Sequence, residues 1–188
     1  MADLGRDTAE EFRKKAKFPI AVVLDNVRSL NNIGSIFRSS DAFCVNRVCL
    51  CGITATPPSV EIHKTALGAE ESVSWKYFDT TAAALRELRD EGWTLCAVEQ
   101  ADDSISLEQF RPDPSKKYAI VLGHEVYGVE QSVVDACDIT LEIPMFGTKH
   151  SLNVAVTAGI LLWHLASSRL NVVGTHLTIK SEKRLRLF

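Results

Sequence analysis

GTKHSLNVAVTAGILLW, residues 147–163, begins as a polar loop and ends as an almost unbroken apolar run. From Asn153 onward the spacing predicts a helix with apolar side chains on nearly every side: Val154, Val156, Ile160, Leu161, Leu162, Trp163 and Leu165. One face of a sheet cannot cover all of them, so the helix is expected to serve a homodimer interface as well. Ser151 and Asn153 stand just ahead of it. Either can cap the helix by accepting orphan backbone N–H groups, but capping accounts for only one of the two.

Upstream, β-branched apolar runs recur as PIAVVL (19–24), RVCLC (47–51), WTLCAV (93–98), YAIVLG (118–123) and ITLEIP (139–144). They read as strands buried on both faces. Helical patterns lie between and after them, over 32–43, 60–67, 80–91, 130–136 and 153–168. Alternation of strand and helix predicts an α/β fold, a largely parallel sheet with helices on both faces. Within TAAALRELRDEG, Ala84, Leu85 and Leu88 share a face and Gly92 is the stop. The polar, proline-bearing stretch 101–117 reads as an irregular connection across a strand end.

The chain has 188 residues, 46% hydrophobic and 24% charged, the profile of one globular domain. No apolar run reaches the roughly 18 residues of a membrane span, and Thr157, Gly159 and His164 interrupt the nearest candidate. The N-terminus lacks the apolar core of a signal peptide, so a cytoplasmic protein is expected. Cys44, Cys49, Cys51, Cys96 and Cys137 lie in apolar stretches without disulfide-framework spacing and read as reduced thiols. No zinc-type ligand clustering occurs, and no metal is expected. The net charge of −3 does not advertise a nucleic-acid binder, yet RKKAK (13–17) and KSEKRLRLF (180–188) place basic clusters at both ends. Each is either a solvated face or a phosphate contact.

In such a sheet, ligands bind outside the carboxyl ends of the strands. Three segments follow strands there: LDNVRSLNNIGSIFRSSDAF, LGHEVYGVEQ and IPMFGTKHSLNV. No GxGxxG occurs, and Gly123 to Gly128 is followed by Val129 and Glu130 where a phosphate loop needs Lys and Ser or Thr. Backbone-rich loops with few charges suit a cofactor held by main-chain hydrogen bonds and apolar walls.

These segments resemble, in order, the three signature motifs of the SpoU (TrmH) branch of the SPOUT RNA methyltransferases. NNIGSIFRSSDAF carries Asn32, Gly34 and Arg38; IVLGHEVYGV carries Gly123, Glu125 and Gly128; IPMFGTKHSLNVAVTAGI carries Ser151 and Asn153. The resemblance covers about residues 19–168, between a basic extension (1–18) and a basic tail (169–188). It implies a C-terminal deep trefoil knot, which periodicity does not give. It also implies S-adenosylmethionine as cofactor, held by Val98, Glu99, Leu122, Gly123, Ile143, Met145, Ser151 and Leu152.

The implied activity is methylation of a ribose 2′-hydroxyl in RNA by a homodimer. Relatives acting on ribosomal RNA often carry a further N-terminal domain, so only 18 residues before the first strand lean the expectation toward tRNA. Catalytic roles are implied for Arg38, Asn32, Glu125, Ser151 and Asn153. Arg38 would stabilise the developing alkoxide, because a guanidinium resists deprotonation; spacing alone leaves it a solvated arginine opposite Ile33, Ile36 and Phe37. Asn32 either caps its helix or orients Arg38. Glu125 either answers a helix dipole or pairs with Arg38 or RNA. Gly34, Gly123 and Gly128 stand at close approaches, positive φ or plain turns.

The chain departs from the family pattern at Cys44, where glycine often follows the motif-one phenylalanine. It departs again at His124, where an amide residue often precedes the glutamate, and at Ala155, where a second serine often stands. Two rival readings remain: a non-catalytic RNA-binding protein of the same fold, and a flavodoxin-like nucleotide binder.

Overall fold

The computed structural model describes residues 8–170. In chain order it runs α1 (Ala9–Lys14), β1 (Phe18–Asp25), α2 (Leu30–Ala42), β2 (Val45–Cys51), α3 (Val60–Ala66), α4 (Ala69–Ser72) and β3 (Trp75–Phe78). It continues with α5 (Thr81–Asp90), β4 (Trp93–Val98), β5 (Ile105–Ser106), β6 (Lys117–Leu122), α6 (Gln131–Asp135), β7 (Ile139–Glu142) and α7 (Val154–Leu170). The strands form one parallel sheet in the order β3-β2-β1-β6-β4-β7-β5.

Strand β1 shows why the apolar runs read as two-sided. Ile20, Val22 and Leu24 enter one core with Ile33, Ile36 and Phe37 of α2 and Leu161, Leu162 and Leu165 of α7. Ala21 and Val23 enter the other, with Ala84, Leu85 and Leu88 of α5 and Val133 of α6. All five β1 residues are fully buried. Helices therefore cover both faces of a parallel sheet, as the alternation predicts.

Two strands escaped the sequence reading. In β3 (WKYF), Trp75 and Tyr77 are exposed and only β2 is its neighbour, so the segment lacks the unbroken apolar run of a central strand. In β5, two residues within the connection 101–117 pair with β7 at the other edge. The short helices α1 and α4, of six and four residues, were also missed.

Helix α2 begins two residues earlier than its periodicity suggests. Ser29 is the N-cap, and its hydroxyl accepts from the Asn32 N–H, so Asn32 lies inside the first turn and is not the cap. At the far end Cys44 adopts φ +52°, a left-handed conformation that favours glycine. This explains why glycine suits the position; here the Cys44 thiol contacts the Ala16 carbonyl.

Helix α7 buries Val154, Ala158, Leu161, Leu162, Leu165 and Ala166, while Val156, Ile160 and Trp163 stay exposed. His164 Nε2 donates to the Phe110 carbonyl at 3.0 Å, and Arg169 donates to the carbonyls of Pro114 and Lys116. The same helix thus fastens the connection between β5 and β6. No helix among the described residues is long and apolar enough to cross a membrane.

The cysteines are free thiols. Burial pushes Cys49 and Cys51 up to about 12, which keeps them protonated. Of the basic N-terminal cluster, Arg13 is bound to the Glu71 carbonyl and Lys14 pairs with Glu10. The tail cluster at 180–188 lies outside the described residues.

Gly34 marks the closest approach of α2 to α3, where an added Cβ would overlap Thr65 Oγ1 and the Ile62 carbonyl. Gly34→Ala is therefore expected to push the helices apart and cost about 1–3 kcal/mol. A thermal melt should fall by roughly 3–10 °C; an unchanged melt would show that the helices separate freely.

Candidate active site

Three loops meet at the carboxyl ends of β4, β6 and β7. Strand β6 ends in Leu122, and Gly123 follows with no room for a side chain, since a Cβ there would overlap the backbone of Gly128 and Val129. His124 and Gly128 exchange backbone hydrogen bonds in both directions at 2.9 Å, closing the intervening loop. Gly128 itself has φ +70°, and a Cβ on it would strike the Glu99 carboxylate. That carboxylate accepts from the N–H groups of Val129 and Gln100, so Glu99, just after β4, clamps the loop after β6.

His124 supplies the interior of this loop. Its Nδ1 accepts from the Val126 N–H at 3.0 Å, which an amide oxygen at this position would also do. The departure from the family pattern therefore preserves the hydrogen bond.

Glu125 is the start of a relay. Its carboxylate accepts from the backbone N–H groups of Arg28 and Ser29, at 3.1 and 2.9 Å, and from the Asn32 side-chain amide at 3.1 Å. Asn32 Oδ1 in turn accepts from Asn153 Nδ2 at 3.0 Å. Asn153 Oδ1 then accepts from the N–H groups of Ala155 and Val156, capping α7. One chain of hydrogen bonds thus joins segments from all three sequence motifs.

This corrects two expectations. Glu125 forms no ion pair with Arg38 and does not cap its own helix; it holds the N-terminus of α2, where two backbone donors and the helix dipole favour a carboxylate. Partial burial works to raise its pKa, but the hydrogen bonds from Arg28, Ser29 and Asn32 outweigh it and leave the carboxyl below its ordinary value. Asn32, held between Glu125 and Asn153, orients those two groups and makes no contact with Arg38.

A cavity of about 540 Å³ opens beside the relay. Val98, Glu99, Leu122, Gly123, Ile143, Met145, Ser151 and Leu152 all line it, together with Glu125 and Asn153. Leu141, Glu142, His150, Val154 and Thr157 are among its other lining residues; sequence reasoning missed these because they sit in core or loop contexts with no distinctive spacing. Of the two polar residues ahead of α7, Asn153 is the cap and the exposed Ser151 is a wall of the cavity.

Arg38 is the residue not brought in. It is exposed on α2, outside the cavity lining, and six residues beyond Asn32, about 9 Å along the helix axis. It makes no hydrogen bond or ion pair with another described residue.

Among the described residues, the cavity walls carry three carboxylates, Glu99, Glu125 and Glu142, and no Lys or Arg. Such a lining repels polyphosphates and favours a compact ligand bearing positive charge.

Because the Glu125 carboxyl is held below its ordinary value, its contribution to stability is present above the unfolded value, near 4.3, and lost as pH falls through the lower folded value. Glu125→Gln should thus melt below the parent protein at pH 7, with the gap closing as pH approaches 3. A gap that stays constant over that range would mean that the charge is not what the α2 backbone donors recognise.

Comparison with known proteins agrees with this geometry. The chain is 34% identical over 166 residues to a protein named 23S rRNA (guanosine-2′-O-)-methyltransferase RlmB from Nitrosomonas europaea, covering 87% of this chain and 62% of that one. A protein of the same name from Neisseria meningitidis is 31% identical, covering 77% and 56%. The chain therefore spans about six-tenths of the length of these curated relatives. Among solved structures, an A. aeolicus TrmH/SpoU tRNA modifying enzyme shares the fold at TM-score 0.77, 24% identity and coverage of 87% and 83%. An AdoMet-bound rRNA methyltransferase from Sinorhizobium meliloti superposes at TM-score 0.75 with 26% identity, covering 83% and 59%. The SpoU rRNA Methylase family model matches residues 19–163, and the chain belongs to that family.

Proposed function

We propose that the protein is an S-adenosylmethionine-dependent RNA methyltransferase acting on a ribose 2′-hydroxyl. The observation that carries this reading is the relay from Glu125 through Asn32 to Asn153 at the edge of a cavity lined by carboxylates and apolar side chains. S-adenosylmethionine fits that lining, since it is compact, carries a cationic sulfonium and has no phosphate, and the side-chain-free Gly123 leaves backbone open to it. When bound, it supplies an electrophilic methyl group. Val98, Leu122, Ile143, Met145 and Leu152 would hold its apolar parts, and Ser151 its polar ones. The AdoMet-bound Sinorhizobium meliloti enzyme and the names of the RlmB relatives support this reading.

The chain's own contribution to the reaction is alignment and charge. Asn153 and Ser151 set the edge at which the ribose is received, and Arg38 stabilises the 2′-oxygen as it loses its proton to phosphate or water. With Arg38 outside the cavity of its own chain, the reading includes a homodimer. The exposed Val156, Ile160 and Trp163 of α7 form the shared surface, and the Arg38 of one protomer serves the cavity of the other. The knot of the family fold, a catalytic body over residues 19–168 and a cytoplasmic setting belong to the same reading.

The RNA is either tRNA or rRNA, the latter named in the RlmB relatives. Mass spectrometry of nucleosides from both pools of a strain lacking the protein tests the activity directly. One 2′-O-methyl nucleoside should disappear; intact nucleosides in both pools would favour the non-catalytic RNA-binding reading.

Arg38→Ala is expected to abolish turnover while leaving S-adenosylhomocysteine affinity within about threefold, because its work is on the transition state. Mixing inactive Arg38→Ala with inactive Asn153→Ala protein should restore activity if the arginine acts across the interface. No restoration from a mixture shown to exchange subunits would place Arg38 in the site of its own chain.

A further inference from the structure

A second cavity, of about 620 Å³, lies on the other side of the loop between Gly123 and Gly128, at the carboxyl end of β1. Asn26, Ile53, His124, Tyr127, Glu130 and Gln131 line it, and the proposed methyl-transfer reaction uses none of them. His124 and Tyr127 also line the first cavity, so the two spaces share a wall.

Tyr127 is 84% exposed and Ile53 is 63% exposed, two large apolar surfaces in water beside one cavity. The Tyr127 ring is buttressed by the His124 ring, with centroids 4.8 Å apart and planes inclined by 31°. This is a flat, pre-set platform. The polar groups around it are unevenly committed. His124 Nδ1 accepts from backbone, so the proton of the neutral ring sits on Nε2, which makes no hydrogen bond among the described residues. Glu130 uses Oε1 for the Ser132 hydroxyl and leaves Oε2, and Gln131 donates to Asp135 and leaves its Oε1. Among the described residues the lining contains no Lys or Arg, while Asp25 and Glu130 add negative charge, so a phosphate is repelled.

An aromatic face, two free acceptors and one donor match a nucleobase rich in N–H groups. Guanine has this pattern, offering N1–H and the 2-amino group to carboxylate or amide oxygens and O6 to a ring N–H. We infer that the second cavity receives a guanine base of the RNA substrate, stacked on Tyr127 and read by Glu130, Gln131 and His124. The inference rests on the RNA reading above and adds to it a place for base recognition.

Binding without turnover tests it. The probes are two short single-stranded RNAs, one all-uridine and one with a single central guanosine, with S-adenosylhomocysteine calorimetry run in parallel. The parent protein should bind the guanosine-containing RNA more tightly, by about fivefold or more. Tyr127→Ala should weaken it about tenfold, Tyr127→Phe should retain it, and Glu130→Gln should remove the guanosine preference with unchanged S-adenosylhomocysteine affinity. Parent-level RNA binding by Tyr127→Ala, a loss of S-adenosylhomocysteine binding in Glu130→Gln, a guanosine preference that survives Glu130→Gln, or no guanosine preference in the parent would each overturn it. A parent that binds with this preference but methylates no RNA would defeat the proposed reaction and leave the base site standing.

Discussion

The Asn32 carboxamide holds the site together. It donates to a carboxylate 93 residues away and accepts from an amide 121 residues away. Glu125 is the acceptor for two backbone N–H groups at the N-terminus of α2, which is short of acceptors, and Asn153 uses its Oδ1 for α7. A side chain with one donor and one acceptor can join them, so a single orientation of the Asn32 amide fixes the relative positions of α2, α7 and the loop after β6.

That constraint explains why the surrounding backbone is so tightly specified. The Glu125 loop must turn sharply enough to return to the sheet, which places Gly123 against Gly128 with no space for a Cβ and holds Gly128 at positive φ above Glu99. Glu99, a carboxylate in the cavity wall, is thereby a clamp for that loop as well as a charge near the ligand. Helix α7, whose first turn is capped from the relay, carries its apolar face into the same core as α2 and β1. Packing and site geometry are one network here, and a change that loosens either loosens both.

The central strands were legible in strong local signals, the apolar runs at β1, β4 and β6, whereas the cavity residues after them were named by the resemblance of the motif loops to the family. What depends on partners far along the chain stayed concealed. The sequence leaves Asn32 as either the cap of α2 or a partner of Arg38, because nothing local marks Ser29 as the cap; only the 93-residue contact to Glu125 shows what Asn32 does. Strand β3 was silent because an exposed edge alternates Trp75, Lys76 and Tyr77, and β5 because two residues cannot show a period. The glycine-like demand at position 44 and the amide-like demand at 124 became physical only with φ +52° at Cys44 and the Nδ1 acceptor of His124. Arg38 is the reverse case: its motif position was plain, but its distance from the cavity was not.

The most direct test of the relay is a double-mutant cycle in urea unfolding with Asn32→Ala, Asn153→Ala and the pair. Residues that share a hydrogen-bond network couple by about 0.5–3 kcal/mol, so the double variant should lose less stability than the sum of the singles by at least 0.5 kcal/mol. Additivity within about 0.3 kcal/mol would contradict the account, because two asparagines that act independently cannot be the joint that holds the three loops in one site.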